Sequence, residues 1–240
     1  MNRQITTRLL LLATVVLISG VLTGCSPEEL VSTSQEVSIG QQASAEVEAQ
    51  YPVSRDPQLN QLVNNIGQEI LRYASPRSGI QYTFRVLDVS DVNAFSLPGG
   101  WIYINRGLID ATRGNVNQLA GVIAHEIAHV EARHHADLMG RSALYGIAIG
   151  TLTEGNTTQW VSFFSELYLL RWSRRHEYEA DRLAIDFMLP SRYNPQGIID
   201  FFMVLEAESG RGRTPEFLRT HPLTEDRIER AQEHLAEQRR

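Results

Sequence analysis

The sequence contains no lysine, so its 22 basic residues are all arginines, and 28 acidic residues outnumber them. The formal net charge is −6, and the loss of a leader that contains Arg3 and Arg8 would make it two units more negative. An acidic protein without a basic stripe is a poor binder of nucleic acid. We therefore expect no nucleic-acid partner.

Cysteine is nearly absent as well, since Cys25 is the only one in the chain. A single cysteine excludes an internal disulfide, even in an oxidising compartment. Any role of Cys25 must therefore be inferred from the residues next to it in the sequence.

A hydrophobic run long enough for a confident membrane span is also missing from the leader. The apolar stretch from Leu9 to Val21 follows Arg3 and Arg8 and ends too soon to cross a bilayer. A short apolar stretch after basic residues is typical of a secretion signal. We predict a signal peptide over residues 1–24.

The tetrapeptide from Leu22 to Cys25 resembles the bacterial lipobox, in which cleavage precedes the cysteine and lipid is attached to it. Several acyl chains anchor a protein firmly, whereas one chain is marginal. Ser26 resembles the outer-membrane sorting pattern of two-membrane bacteria. We predict a lipidated Cys25 and a polar tether over residues 25–35, with the protein anchored in the outer membrane and facing the periplasm. The alternative is an ordinary secretory leader with an incidental cysteine.

The most informative pattern is the run from Gly121 to Val130, where two histidines four positions apart bracket a glutamate in apolar sequence. On a helix, His125 and His129 lie on one face, where their ring nitrogens can converge on a metal ion. Glu126 lies about 100° round the helix, beside the metal, where a general base would stand. A buried helix with these side chains needs polar partners for them, and a zinc ion supplies them. The alternative is a chance match on a core helix.

A second helix is predicted from Arg174 to Met188, because Pro190 ends it and its apolar residues recur at helical spacing. Glu177 and Asp181 lie one turn apart at the border of the apolar stripe. We interpret Glu177 as the third metal ligand. Asp181 is placed to accept the free ring N–H of a ligand histidine and to fix its tautomer. The alternative is a solvated acidic face paired with neighbouring arginines.

Four spaced motifs resemble those of a family of zinc metallopeptidases of the gluzincin type. This family includes HtpX, the BepA and LoiP periplasmic proteases, the Oma-type mitochondrial proteases and the CAAX prenyl endopeptidase. The motifs are His-Glu-Ile-Ala-His at 125–129, Glu-Tyr-Glu-Ala-Asp at 177–181, the segment 91–104 and the His-Pro segment 221–228. The resemblance runs from about Glu36 to the C-terminus.

The resemblance implies an α+β fold over residues 36–240, a minigluzincin-like zincin domain that is mostly helical. Its small mixed sheet would have an edge strand over the metal site. One zinc ion per chain would be bound by His125, His129 and Glu177, with Glu126 as the catalytic base.

The resemblance also assigns roles outside the two metal helices. Substrate polypeptide would lie extended along the edge strand at Asn93, Ala94 and Phe95, pairing through main-chain groups. His221 would either stabilise the oxyanion or occupy the fourth zinc position and hold the enzyme latent, and its alternative is a turn residue before a proline. Arg227 would assist with oxyanion charge or serve as an ion-pair partner. Glu179 is not expected to bind the metal.

The remaining patterns predict a coarse secondary structure. Helices are expected over 36–51 and 56–73, a strand over 80–86, and a hairpin or meander after the Pro98-Gly99-Gly100 break. Asn115 with Gln118 resembles a capping box that begins the zinc helix. A small-residue apolar segment and a loop follow the zinc helix at 143–152 and 153–158.

Several aromatic residues and histidines fall outside these motifs. Four histidines fall off the ligand faces of a helical wheel and are predicted to lie at the surface. They are His134, His135, His176 and His234. Four large aromatic residues are predicted to pack in the core. They are Trp160, Phe163, Phe164 and Trp172.

These features predict a lipid-anchored zinc endopeptidase that cleaves unfolded or misassembled envelope proteins. The alternative is a latent or non-cleaving zinc protein that holds extended client segments as a chaperone or assembly factor. The retained Glu126 favours the enzyme.

Overall fold

The computed structural model describes residues 26–144, 172–210, 212 and 214–240. Some predictions concern residues outside these ranges. They are the signal peptide, the lipidation of Cys25, nearly all of the apolar segment 143–152 with its loop, and the packing of Trp160, Phe163 and Phe164.

Helices make up most of the described chain. A short 3-10 helix (Pro27–Leu30) precedes α1 (Thr33–Gln50) and α2 (Pro57–Ala74). Three strands follow, namely β1 (Thr83–Leu87), β2 (Ala94–Leu97) and β3 (Trp101–Asn105). The later helices are α3 (Arg106–Ala111), α4 (Val116–Glu131), α5 (His134–Leu144), α6 (Arg174–Met188), α7 (Gln196–Ser209), α8 (Phe217–Thr220) and α9 (Glu225–Gln238).

The predicted fold class, mostly helical with a small mixed sheet, is confirmed. The strand order is β1-β3-β2, with β3 parallel to β1 and antiparallel to β2. β2 and β3 form the expected hairpin, but β1 pairs with β3, so the three strands are not a simple meander. β1 begins at Thr83, three residues after the predicted start, because the chain through Gln81 is still part of the preceding turn and loop.

The N-terminal segment differs from the expected tether. Residues 27–30 are helical and α1 begins at Thr33, where Ser32 accepts a hydrogen bond from the Gln35 N–H. Val31 is buried among apolar side chains of α1 and α5, and its carbonyl accepts a hydrogen bond from Arg133. Val31 therefore supplies an apolar contact that holds this segment against the rest of the described chain, while the bounds of tether and domain stay a prediction.

The helix that carries the HExxH motif, α4, begins as the sequence predicts. Asn115 is its N-cap, and its side-chain oxygen accepts hydrogen bonds from the N–H groups of Asn117 and Gln118. The second half of the expected capping box is not formed. The Asn115 N–H already donates to the Thr112 carbonyl at 2.9 Å, so it is not available to the side-chain oxygen of Gln118.

The core of the domain is built around α4, whose residues from Gln118 to Val130 are all buried. This helix packs against α2, α6, α7 and β2. Gly121 lets α7 approach closely, because a Cβ at this position would lie 2.7 Å from the main-chain N and Cα of Ile198. The packing therefore fixes α4 from several sides, which sets the orientation of its histidines.

None of the helices in the described ranges combines the length and apolar composition that a membrane crossing requires.

We expect the Gly121→Ala substitution to destabilise the protein by about 1–3 kcal/mol, because the added methyl group would force α4 and α7 apart. Urea unfolding measures the change. Gly210→Ala is the matched control, since Gly210 ends α7 with φ −63° and an added Cβ would come no closer than 3.6 Å to its neighbours. That control should leave stability unchanged or raise it by up to about 1 kcal/mol. Equal effects of the two substitutions would contradict the close-packing account.

Candidate metal centre

Four side chains converge in the interior at the C-terminal half of α4. They are His125 and His129 of α4, Glu177 of α6 and His221 after α8, and one possible ligand atom from each lies within 4.8 Å of the others. All four side chains are at most 1% exposed. The structure therefore brings the three predicted ligands together and adds His221 as a fourth donor.

The distances between the donor atoms suit one small cation. Nε2 of His125 lies 3.0 Å from Nε2 of His129 and 3.2 Å from Nδ1 of His221. Oε1 of Glu177 lies 3.4 Å from Nε2 of His129 and 3.1 Å from Nδ1 of His221. Ligands about 2.0–2.1 Å from a tetrahedral zinc ion lie about 3.3 Å apart. Three imidazole nitrogens and one carboxylate oxygen also match the donor types that zinc prefers.

The surroundings of His125 suit a metal ligand. Its Nδ1 lies 2.9 Å from Oδ1 of Asp181, and a ring that carries its only proton on Nδ1 has the lone pair of Nε2 available for a cation. That lone pair would point at Nε2 of His129, 3.0 Å away, where a cation shared by the two nitrogens, or a proton on His129, would satisfy it. The contact with Asp181 is the predicted one.

The carboxylates of α6 are held by one buried guanidinium. Arg227, from α9, donates Nε and Nη2 to the two oxygens of Asp181 at 2.8 and 2.7 Å. Its Nη1 forms an ion pair with Oε2 of Glu177 and donates to the Pro222 carbonyl at 3.1 Å. The sequence left two roles open for Arg227, and in the structure it is an ion-pair partner of Glu177 and Asp181. Its contact with Pro222 also fixes the His-Pro segment.

The electrostatics of the site follow from this pairing. Burial alone would raise the pKa of Glu177, but the charge of Arg227 and the contacts with His221 and His129 outweigh it and hold that pKa well below its usual range. Burial lowers the pKa of His125, yet the carboxylates of Asp181 and Glu177 raise it on balance. Burial holds the pKa of His129 well below its usual range. Glu177 is therefore ionised at neutral pH, as a metal ligand must be.

Glu126 lies beside the four donors and is fully buried. Its Oε2 accepts a hydrogen bond of 2.9 Å from the hydroxyl of Ser96, and its Oε1 lies 3.4 Å from Nε2 of His221. Sequence reasoning missed Ser96, which lies in the quoted edge-strand segment. Its alternation with Phe95, which stacks on Tyr103 instead, was the signal that could have placed the hydroxyl on the face towards α4.

The predicted substrate residues lie on and beside β2, the strand at one edge of the sheet. Asn105 donates its N–H to the carbonyl of Asn93, so the alternation of an antiparallel pair turns the main-chain groups of Asn93 and Phe95 towards β3. Among residues 93–95, only Ala94 has main-chain groups that face the outer edge. On that edge the Ser96 carbonyl lies 3.0 Å from Nε2 of His135.

Three of the four histidines predicted to lie at the surface are buried, and this prediction was wrong. His134, His135 and His176 are 2%, 1% and 5% exposed. For His134 and His135 the reason is that the chain breaks after α4, where Arg133 adopts a φ of +58°, which turns α5 back over the site. His176 is buried because its ring stacks on His134 and its Nε2 lies 2.9 Å from Oδ2 of Asp137. The fourth, His234, is half-buried, and its Nε2 lies 2.6 Å from Oδ1 of Asp186.

Trp172 packs in the core, as the sequence predicts, and it covers one ligand. Its ring stacks on His129 with centroids 4.4 Å apart and planes 22° apart. This contact shields the imidazole from water and restricts its rotation.

Comparison with known proteins agrees with this geometry. The model of peptidase family M48 matches residues 55–235. The beta-barrel assembly-enhancing protease of Escherichia coli K12 is 30% identical over 227 residues, which cover 85% of this chain and 45% of that protein. The mitochondrial metalloendopeptidase OMA1 of Schizosaccharomyces pombe is 28% identical over 215 residues, covering 86% of this chain and 63% of the relative.

A relative of similar length is also found. The metalloprotease YcaL of Escherichia coli K12 is 24% identical over 250 residues, which cover 94% of this chain and 97% of that protein. By contrast, the chain spans slightly less than half the length of the beta-barrel assembly-enhancing proteases that it matches. The family match covers both metal motifs and the His-Pro segment, and the predicted resemblance is confirmed: the chain belongs to peptidase family M48, whose members are zinc metallopeptidases.

Proposed function

We propose that this protein is a zinc-dependent endopeptidase of the bacterial envelope that hydrolyses unfolded or misassembled proteins. The observation that carries the proposal is a buried group of three imidazoles and one carboxylate with Glu126 directly beside it. One zinc ion per chain would be held by His125, His129 and Glu177.

The residues around the ion have separate tasks. Zinc, when bound, would acidify a water molecule and polarise the peptide carbonyl. Glu126 would accept the proton of the attacking water and return it to the leaving amine. The Ser96 hydroxyl orients the Glu126 carboxylate, and Asp181 and Arg227 keep His125 and Glu177 in place.

His221 supports a latent resting form. Its Nδ1 points into the donor group, while its Nε2 lies 3.4 Å from Glu126, the proposed base. The ring stacks on Phe217 at 4.4 Å, and the His221 N–H donates to the Phe217 carbonyl at 2.8 Å. With His221 in this position the fourth coordination place of a bound zinc ion would be taken, and its ring lies against the proposed base. Activity would therefore require His221 to withdraw.

Extended polypeptide would bind at the outer edge of β2, where Ala94 offers main-chain groups. Such pairing tolerates many sequences, which suits misassembled clients. The name of the beta-barrel assembly-enhancing proteases supports clients in the cell envelope. Anchorage by lipid on Cys25, in the outer membrane and facing the periplasm, belongs to the same proposal.

A second candidate function is a zinc-containing binding or assembly factor that holds clients without cutting them. The observation in its favour is the complete donor set, which leaves no place for water while His221 remains bound.

We expect Glu126→Gln to lower peptidase activity about 10²–10⁴-fold, because the amide cannot accept the proton. Casein digestion by the full-length protein measures activity, and the zinc content of the variant should stay unchanged. Glu206→Gln, the same change at an exposed position of α7, is the matched control and should retain activity. Undiminished digestion by Glu126→Gln would rule out the assigned base.

We expect His221→Ala to raise activity about tenfold if the competent form makes up about a tenth of the unmodified protein. Zinc should remain bound through the other three donors. The double variant Glu126→Gln/His221→Ala should lose the gained activity, which excludes a contaminating protease. Loss of activity in His221→Ala would instead assign an oxyanion role to His221. Zinc binding without cleavage in any of these variants would favour the binding function.

A further inference from the structure

A second group of buried histidines lies beside the metal centre. It consists of His134 of α5, directly against the ligand His129, and His176 of α6, whose ring stacks on His134 at 4.4 Å with planes 23° apart. The proposed function gives these rings no task. The inference below rests on that function, because it assumes a metal ion on Nε2 of His129.

The contact between His134 and His129 joins two ring nitrogens. Nδ1 of His134 lies 2.9 Å from Nδ1 of His129, a normal hydrogen-bond distance. One nitrogen must donate and the other must accept. If Nε2 of His129 binds the ion, that nitrogen carries no proton, so His129 carries its proton on Nδ1 and is the donor.

The direction of this hydrogen bond sets the proton on His134 as well. Because Nδ1 of His134 accepts, its proton lies on Nε2, which points at Oε2 of Glu179 at 3.5 Å. Glu179 is half-buried on α6 and can accept from it. His129, which would bind the metal ion through Nε2, thus donates a hydrogen bond to His134, and His134 donates one to Glu179. On the other ligand, Asp181 performs the same task for His125 in a single step.

We propose that His134 is a positioning residue that accepts the Nδ1–H of His129, and so holds the tautomer and the ring orientation in which His129 binds the metal. Ligand histidines commonly donate their second N–H to a carboxylate, a carbonyl or water. In this protein a neutral imidazole takes that place.

The surroundings of His134 suit this role. Its ring is fixed by the stacked His176, whose Nε2 lies 2.9 Å from Oδ2 of Asp137. The adjacent His135 is equally buried, but its Nε2 faces the Ser96 carbonyl. Burial of a histidine on α5 is therefore not sufficient for contact with the ligand.

The test compares two amide side chains of different length, asparagine and glutamine, at position 134. Asparagine places its amide at about the position of Nδ1 and can accept from His129, whereas glutamine places it at about the position of Nε2. The affinity of the full-length protein for zinc alone is measured by competition with a chromogenic chelator. We expect His134→Gln and His134→Leu to bind zinc about 10–100-fold more weakly than the unmodified protein. His134→Asn should stay within about threefold of it.

Two controls separate this role from folding. Thermal unfolding of the zinc-free variants should show the same stability for His134→Asn and His134→Gln, and this pair decides the question if His134→Leu does not fold. His135→Leu, which removes the neighbouring buried imidazole, should keep zinc affinity within about threefold of the unmodified value.

Two outcomes would overturn the inference. Unchanged zinc affinity in His134→Gln would show that the acceptor is not needed, and equal weakening in His134→Asn and His134→Gln would show that only the shape of the ring matters. Failure of the unmodified protein to bind zinc would instead contradict the proposed function. The two failures are therefore distinguishable.

Discussion

Three buried carboxylates lie at the metal centre, two of them share the one guanidinium that the described residues bring there, and the rest of the site depends on this imbalance. Glu177 and Asp181 both pair with Arg227, while Glu126 has only the Ser96 hydroxyl and a histidine beside it. Buried charges without partners cost several kcal/mol each. A divalent cation among the imidazoles would bring the three negative charges and the arginine to neutrality. Two of the carboxylates whose burial is unfavourable in the zinc-free site thus have tasks at the ion, because Glu177 is a proposed ligand and Asp181 orients His125.

The packing of the domain connects these charged groups to the edge strand and to the His-Pro segment. The edge strand β2 supplies the hydroxyl that contacts Glu126, and its outer edge is held by His135 through the Ser96 carbonyl. Phe217 donates its N–H to the carbonyl of Val92, just before β2, and stacks on His221. The strand proposed for substrate, the base and the fourth donor are therefore joined through a few buried contacts.

The sequence predicted those parts of the site that depend on local geometry. Helical spacing alone puts His125 and His129 on one face, and Glu177 and Asp181 one turn apart on the other helix. Contacts set by the path of the chain were not predicted. The break at Arg133 has no glycine or proline to announce it, so His134 and His135 were placed at the surface. The choice of partner for Arg227 and the contact of Ser96 with Glu126 depend on long-range packing, which spacing along the chain does not encode.

X-ray absorption at the zinc edge of the full-length, zinc-loaded protein tests the central claim most directly, because it counts the imidazoles around the ion. The account predicts one four-coordinate zinc per chain with three nitrogen ligands and one oxygen ligand at about 2.0–2.1 Å. The His221→Ala variant should show two imidazoles. A zinc ion with fewer than three imidazoles in the unmodified protein would contradict it.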